Sequence, residues 1–201
     1  MFFNDTTTSP PQKLVEKLNA ELCNTLGNLL SRVVGKNLNP RQYFPSPCPE
    51  TFRQFGNAHL DTLVESLHAL PARFDESFES LRIDRGVDAI MAVLREANLF
   101  LQSARPWKMD ASLEQERIRV VLYVIMETLR VCGILLQPIV PGLAGRVLDV
   151  IGVEKEERTV IRLKDDLTPL HRVTLVRGSE DSAVDVPLKS IHTPLYPRLQ
   201  I

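Results

Sequence analysis

The sequence predicts an all-α fold: a bundle of five or six helices with a short irregular or β extension at its C-terminus. Apolar residues near the N-terminus recur every three or four positions, as in a helix with one buried face. These residues are Leu14, Leu18, Leu22, Leu26, Leu29 and Val33. A second long segment repeats the pattern at Ile118, Val121, Leu122, Ile125, Leu129 and Cys132. After Gly152 weak alternation replaces this period, which indicates short strands.

The chain divides into three parts at changes of composition. Residues 1–11 are polar and rich in threonine, and we expect a disordered leader. Residues 12–152 carry the helical pattern and form the predicted bundle. Residues 153–201 form the predicted extension, with strands expected around 160–163, 172–176 and 184–186.

The first helix is predicted from Gln12 to Val34, with Gly35 as its stop. Four prolines between residues 40 and 49 predict a connector without regular structure.

Three further helices are predicted between residues 52 and 102. The first covers Phe52 to Ala69 and ends before Pro71. The second covers Ala72 to Ile83. Asp84 is a candidate cap for the third, which runs from Arg85 to Gln102. Gly86 is expected to mark a kink between the second and the third of these helices.

The last two helices are predicted from Ser112 to Gln137 and from Gly142 to Ile151. The apolar run within the first of them is long enough to raise the question of a membrane span. Glu127 and Arg130 stand in its middle and Pro138 ends it, so the sequence favours a buried core helix.

Composition is that of an ordinary globular chain. Among its 201 residues 44% are hydrophobic and 24% are charged, with a formal net charge of −1. No general basic field therefore indicates nucleic-acid binding, although positive charge is concentrated between residues 13 and 41. The three cysteines, Cys23, Cys48 and Cys132, are far apart in sequence, so neither a disulfide framework nor a zinc site is expected. We expect the protein to be found in a reducing compartment.

A polar stripe on the first helix is the main candidate for a binding surface. Asn24, Asn28, Arg32 and Lys36 follow one another at intervals of four, so they lie on one face. A solvated face is the plain alternative, but such faces usually carry Glu and Lys, whereas amides and Arg read the edges of bases. The only tryptophan, Trp107, lies between Arg105 and Lys108. A lone tryptophan is more often a core residue, but two flanking cations suit stacking of an unpaired base.

These segments carry a resemblance to a family. Residues 19–32, residues 95–98 and Arg105-Pro106-Trp107 resemble the anticodon-binding helical domain of methionyl-tRNA synthetases, over about residues 12–152. The resemblance implies recognition of the CAU anticodon of tRNA(Met), with contacts from Asn28, Arg32 and Trp107. Lys36, Arg105 and Lys108 are the candidates for phosphate contacts. Vertebrate mitochondrial forms look most similar, which implies the mitochondrial matrix, with the cytoplasm as the alternative.

Catalysis is not expected from this chain alone. Class I synthetases carry HIGH and KMSKS motifs, and neither is found; residues 108–112 are a chance partial match to the second. ATP and methionine would bind a separate catalytic domain of the same synthetase, which is the expected protein partner. Glu65 and His68 have the spacing of half a di-iron site but no matching pair, so no metal or other cofactor is predicted. No membrane or DNA partner is expected.

Two other classes of protein stay open. One is the equivalent domain of another class I synthetase, which a different anticodon would distinguish. The other is a helical scaffold that binds protein partners, which predicts no salt-dependent binding of tRNA.

Overall fold

The computed structural model describes residues 24–46, 49–160 and 185–189. Six α-helices lie in these ranges: α1 Asn28–Val34, α2 Pro49–Arg53, α3 Ala58–Glu79, α4 Ile83–Ala104, α5 Gln115–Leu136 and α6 Pro141–Val150. Residues 24–27 form a π-helical turn that leads into α1. Two short strands, β1 Tyr43–Phe44 and β2 Val186–Pro187, and two 3₁₀ turns, Pro106–Lys108 and Lys155–Glu157, are also present. The all-α bundle is therefore confirmed.

Helix α5 forms the centre of the bundle. Every residue from Val120 to Leu136 is buried, and all five other helices pack against α5. Such a helix has to be apolar on all sides, which is why its sequence resembles a membrane span. The two charged residues of this buried stretch pair with each other, because the Arg130 guanidinium donates to both carboxylate oxygens of Glu127 at 2.7 and 2.8 Å. In the described part of the chain no helix is long and apolar enough to cross a membrane.

Helix α3 corrects the prediction of a stop before Pro71. The two helices expected on either side of this proline are one helix of 22 residues, with Pro71 inside it. An interior proline costs about 3 kcal/mol in a helix. Buried side chains on both sides of it, from Leu60 to Phe74, hold the helix together. Its first turn is capped by the Asn57 side chain, which accepts from the backbone N–H groups of His59 and Leu60 at 2.9 and 3.3 Å.

The turn between α3 and α4 differs from prediction in two ways. Asp84 is not the cap but lies in the first turn of α4, where it accepts two hydrogen bonds from the Arg82 guanidinium at 3.0 and 3.1 Å. Gly86 does not mark a kink between helices but is buried inside α4. A Cβ atom there would lie 3.3 Å from the Phe74 ring, so this glycine allows the close approach of α3 to α4.

The connector after α1 is more ordered than its prolines indicated. It contains β1 and α2, and β1 pairs antiparallel with β2, Tyr43 opposite Pro187 and Phe44 opposite Val186. The strand expected near residues 184–186 is thus confirmed at Val186. Val160 is helical rather than extended. The other expected strands, the leader and the start of the first helix lie outside the described residues.

Candidate nucleic-acid interface

Trp107 stands on a turn that its neighbours hold rigidly. Helix α4 ends at Ala104, and Arg105 takes a left-handed conformation (φ 47°, ψ 53°) with its N–H bonded to the Leu101 carbonyl at 3.2 Å. Pro106 begins the 3₁₀ turn and is buried, whereas Trp107 is 55% exposed. Burial of the proline therefore anchors the turn and leaves the indole available to a ligand.

The exit from this turn is fixed by a reciprocal cap. The Asp110 carboxylate accepts from the N–H and the hydroxyl of Ser112 at 2.8 and 2.6 Å. In return the Glu114 carboxylate accepts from the Asp110 N–H at 3.1 Å. The Ser112 hydroxyl bond lowers the pKa of Asp110 below its ordinary value. The segment that carries Trp107 and Lys108 is therefore held from both ends.

Helix α1 presents the polar stripe as predicted. Leu29, Leu30 and Val33 are fully buried, and α1 packs on α5. The opposite face carries Asn28, Ser31 and Arg32, which are exposed, as is Lys36 just beyond the helix. Helix α1 ends at Val34 as predicted, but Gly35 has an extended backbone (φ −65°, ψ 135°) rather than a left-handed one.

A groove of about 760 Å³ joins α1 to the turn that carries Trp107. Its lining residues come from α1 and the loop after it, from the end of α4, and from the 3₁₀ turn: Ser31, Arg32, Gly35, Asn37, Leu38, Leu101, Gln102, Arg105 and Trp107. Two guanidinium groups, two carboxamides and one exposed indole thus surround one opening. These groups can stack on a planar base, donate to base edges and pair with phosphates.

Three of the six predicted site residues line this groove, namely Arg32, Arg105 and Trp107. Asn28 lies one turn before Arg32 on the same face of α1 but does not line the groove, and neither Lys36 nor Lys108 does.

Sequence reasoning missed two amides of the groove, Asn37 and Gln102. Asn37 lies in a loop where no period applies, so no sequence signal identifies it. Gln102 follows Asn98 by four residues on α4, a spacing that a search for amide pairs could have found.

Side-chain amides hold the walls of the groove together. Asn98 of α4 donates to the carbonyls of Leu94 at 3.0 Å and Thr25 at 3.4 Å, and so ties α4 to the π-helical residues 24–27 that lead into α1. Asn57 donates to the Ser103 hydroxyl at 3.1 Å, which ties the start of α3 to the end of α4. The contact of Asn98 with Thr25 therefore links the approach to α1 with the helix that carries the Trp107 turn at its end.

The described residues contain no group of three or more His, Cys, Asp or Glu side chains placed to hold a metal ion. Cys132 is fully buried in α5, and burial raises the pKa of its thiol far above the ordinary value. It is not placed to act as a nucleophile.

Comparison with known proteins agrees with this architecture. The family profile described as "Anticodon binding domain of methionyl tRNA ligase" matches residues 51–182. The mitochondrial methionine–tRNA ligase of Takifugu rubripes is 36% identical over 153 residues, which cover 73% of this chain and 26% of the relative. The mitochondrial enzyme of Homo sapiens is 32% identical over 160 residues (74% and 27%), and the Mycobacterium leprae methionine–tRNA ligase 32% over 164 residues (79% and 29%).

The apo structure of Mycobacterium tuberculosis methionyl-tRNA synthetase shares the fold. Its TM-score is 0.74 at 24% identity, and the match covers 96% of this chain and 35% of that one. The family profile covers more than half of the chain, and the sequence relatives are more than 30% identical. The chain belongs to the family of methionyl-tRNA ligase anticodon-binding domains.

The matches cover only part of the relatives and only part of the predicted site. The chain spans about a quarter of the length of the curated relatives. The family profile includes Arg105, Trp107 and Lys108 but begins after α1, so Asn28, Arg32 and Lys36 lie outside it.

Proposed function

We propose that this chain recognises the CAU anticodon of tRNA(Met) as part of a methionine–tRNA ligase. The observation that carries the proposal is the groove between α1 and the Trp107 turn, where Arg32, Arg105 and Trp107 meet. An exposed indole costs free energy in water and is typical of a surface that binds a base. Membership of the family supports the same conclusion.

Each side chain has a role that its chemistry allows. Trp107 stacks on the cytosine of CAU when that base leaves the loop stack. Arg32 and Asn28 hydrogen-bond to base edges, because guanidinium and amide groups offer paired donors or acceptors. Arg105, Lys36 and Lys108 contact phosphates. In this arrangement the residues outside the groove hold the flanking nucleotides while the groove holds one extruded base.

The remaining chemistry of such a ligase belongs to a catalytic domain. We propose that ATP and methionine bind there, that this chain carries no cofactor, and that it does not aminoacylate tRNA by itself. Translation in mitochondria is the proposed setting, since the relatives from Takifugu rubripes, Xenopus laevis and Homo sapiens are mitochondrial enzymes. The bacterial relatives leave a bacterial-type setting as the alternative.

The direct test is binding of anticodon stem-loops to the 201-residue chain at two salt concentrations. One stem-loop carries CAU and the other differs at the first anticodon base. We expect preference for CAU in the unaltered chain. Trp107→Ala should weaken binding of the CAU loop about tenfold to a hundredfold, since loss of a stacking aromatic costs about 1–3 kcal/mol.

Leu99→Ala is the matched control, because Leu99 has a similar exposure of 53%, lies on α4 and does not line the groove. It should leave binding of both loops unchanged. Equal binding of the two loops by the unaltered chain would contradict anticodon reading and leave only electrostatic docking. Absence of binding at low salt would favour the helical scaffold, and preference for another anticodon would favour a different class I synthetase.

A further inference from the structure

The loop that follows α1 is held by one side chain. Gln42 donates both hydrogens of its amide nitrogen Nε2, one to the Val34 carbonyl at 2.6 Å and one to the Asn39 carbonyl at 2.7 Å. These two carbonyls bracket residues 35–38. Three of those four residues, Gly35, Asn37 and Leu38, line the groove.

The bracketed residues also bond to one another. The N–H groups of Leu38 and Asn39 both donate to the Gly35 carbonyl, at 3.1 and 2.9 Å. Asn39 is only 1% exposed, and its side chain exchanges hydrogen bonds with the backbone of Tyr43 at 2.7 and 3.3 Å. The carbonyl of Val34 stands at the end of α1, where the helix itself provides no donor. The amide of Gln42 supplies one, so the end of α1 and the loop form one unit.

Gln42 is itself held in an unfavourable backbone conformation. Its φ is +53°, in the left-handed region that residues other than glycine rarely adopt. A strained residue persists where its surroundings determine it, and here the Leu188 N–H donates to the Gln42 carbonyl at 2.9 Å. The same C-terminal segment is fixed by Asp185, which accepts from the Ser46 N–H at 2.8 Å and from the Arg119 guanidinium at 3.0 and 3.2 Å.

We infer that Gln42 is a positioning residue for anticodon recognition: its bridging amide holds Asn37, Leu38 and the end of α1 in the shape that receives the base, and residues 185–189 keep Gln42 in place. This rests on the proposed function. The side chain of Gln42 acts through the wall of the groove rather than on the RNA, because Gln42 itself does not line the groove. Without the bridge the wall would populate other conformations, and apparent affinity would fall in proportion to the fraction that is competent to bind.

Gln42→Asn tests this inference with little disturbance of the fold. Asparagine keeps an amide and is tolerated at positive φ, but it is one methylene too short to bridge the two carbonyls. We expect about fivefold to tenfold weaker binding of the CAU stem-loop, with the salt dependence unchanged because no phosphate contact is lost. Gln54→Asn is the matched control, since Gln54 is exposed and lies outside the groove.

Hydrogen exchange supplies a readout that needs no RNA. In Gln42→Asn the amides of Leu38 and Asn39 should exchange faster, whereas those of the central helix α5 should not change. Unaltered exchange at both amides would overturn the inference, and so would undiminished affinity and preference for CAU in the variant. Failure of the unaltered chain to prefer CAU would instead overturn the proposed function, while the exchange result would still decide whether Gln42 positions the loop.

Discussion

Exposure of Trp107 is decided by the residues next to it. Pro106 is buried and cannot continue a helix, and Arg105 takes the left-handed conformation that reverses the chain. The indole therefore projects from a turn whose other members are fixed. Because Arg32, its proposed partner in base binding, comes from α1, far away in sequence, the proposed site forms only when the bundle has folded.

Variants of Arg32 and Lys36 distinguish two contributions to RNA binding, the hydrogen bonds to base edges and the charge contacts with phosphates. Arg32→Lys keeps the charge but removes the planar pair of donors, so we expect the CAU loop to lose about 1–3 kcal/mol of binding free energy while the salt dependence is retained. Lys36→Ala should instead weaken both stem-loops equally and reduce the slope of log K against log salt by about one unit. Titrations of both loops at several salt concentrations measure these effects. If Lys36→Ala changed the preference for CAU, its assignment to a phosphate would be wrong.

Leu81 occupies a backbone position that glycine would suit better. It lies in the turn between α3 and α4 with φ of +56°, and its side chain is 85% exposed. Leu81→Gly should raise the free energy of unfolding by about 0.5–1 kcal/mol, because relief of the left-handed strain exceeds the added entropy of the unfolded chain. Urea unfolding measures the difference. Leu81→Ala retains the strained conformation and should give no such gain; an equal gain would show that exposure of leucine, and not strain, is the cause.

In two elements, α3 and α5, a local sequence signal points away from the helix that the structure shows. Pro71 is a strong local signal for a break, yet packing on both of its sides outweighs the loss of one hydrogen bond. In α5 burial on all sides removes the contrast between two faces, so only its charged pair distinguishes a core helix from a membrane span. Local signals therefore predict the helical state of both elements correctly but give the wrong boundaries for α3.

The small sheet depends on a glycine from a different part of the chain. Gly152 has φ of +74°, and a Cβ there would lie 3.0 Å from the Pro187 carbonyl oxygen and from Val186. Gly152→Ala should therefore lower the free energy of unfolding by at least about 1–2 kcal/mol. Gly145→Ala is the matched control, because it lies inside α6 with nothing within 4 Å of the added carbon and should stabilise by up to about 1 kcal/mol. Thermal unfolding of the two variants compares them, and equal stability would contradict the close packing of β2 on Gly152.

For the molecule as a whole, the net charge and the local charge at the groove differ. A net charge of −1 gives no long-range attraction to RNA, so the basic residues around the groove have to act at short range. This arrangement favours selection by contact over electrostatic capture. The salt dependence of binding should accordingly be modest, as for a few phosphate contacts.

Cys132 offers a probe of the whole bundle. It lies at the centre of α5, and burial raises the pKa of its thiol. In a variant with Cys23 and Cys48 replaced by serine, its alkylation in the native state should stay slow as pH rises past the ordinary thiol value of about 8.5, because the thiol stays protonated and inaccessible. Denaturant should then raise the rate along the global unfolding curve. Fast reaction in the native chain would show that α5 opens locally.

The sequence by itself determined the fold class, the face of α1 that carries Arg32, and the candidacy of Trp107, because helical periodicity and proline chemistry act over a few residues. The meeting of Arg32, Arg105 and Trp107 in one groove was decided only by the tertiary structure, since α1 and the end of α4 are about 70 residues apart. The same holds for Asn37 and the bridging amide of Gln42, whose side chains have no period that marks them. Gln102 shares a helical spacing with Asn98, but only the packing of α1 and α4 around α5 places it in the groove.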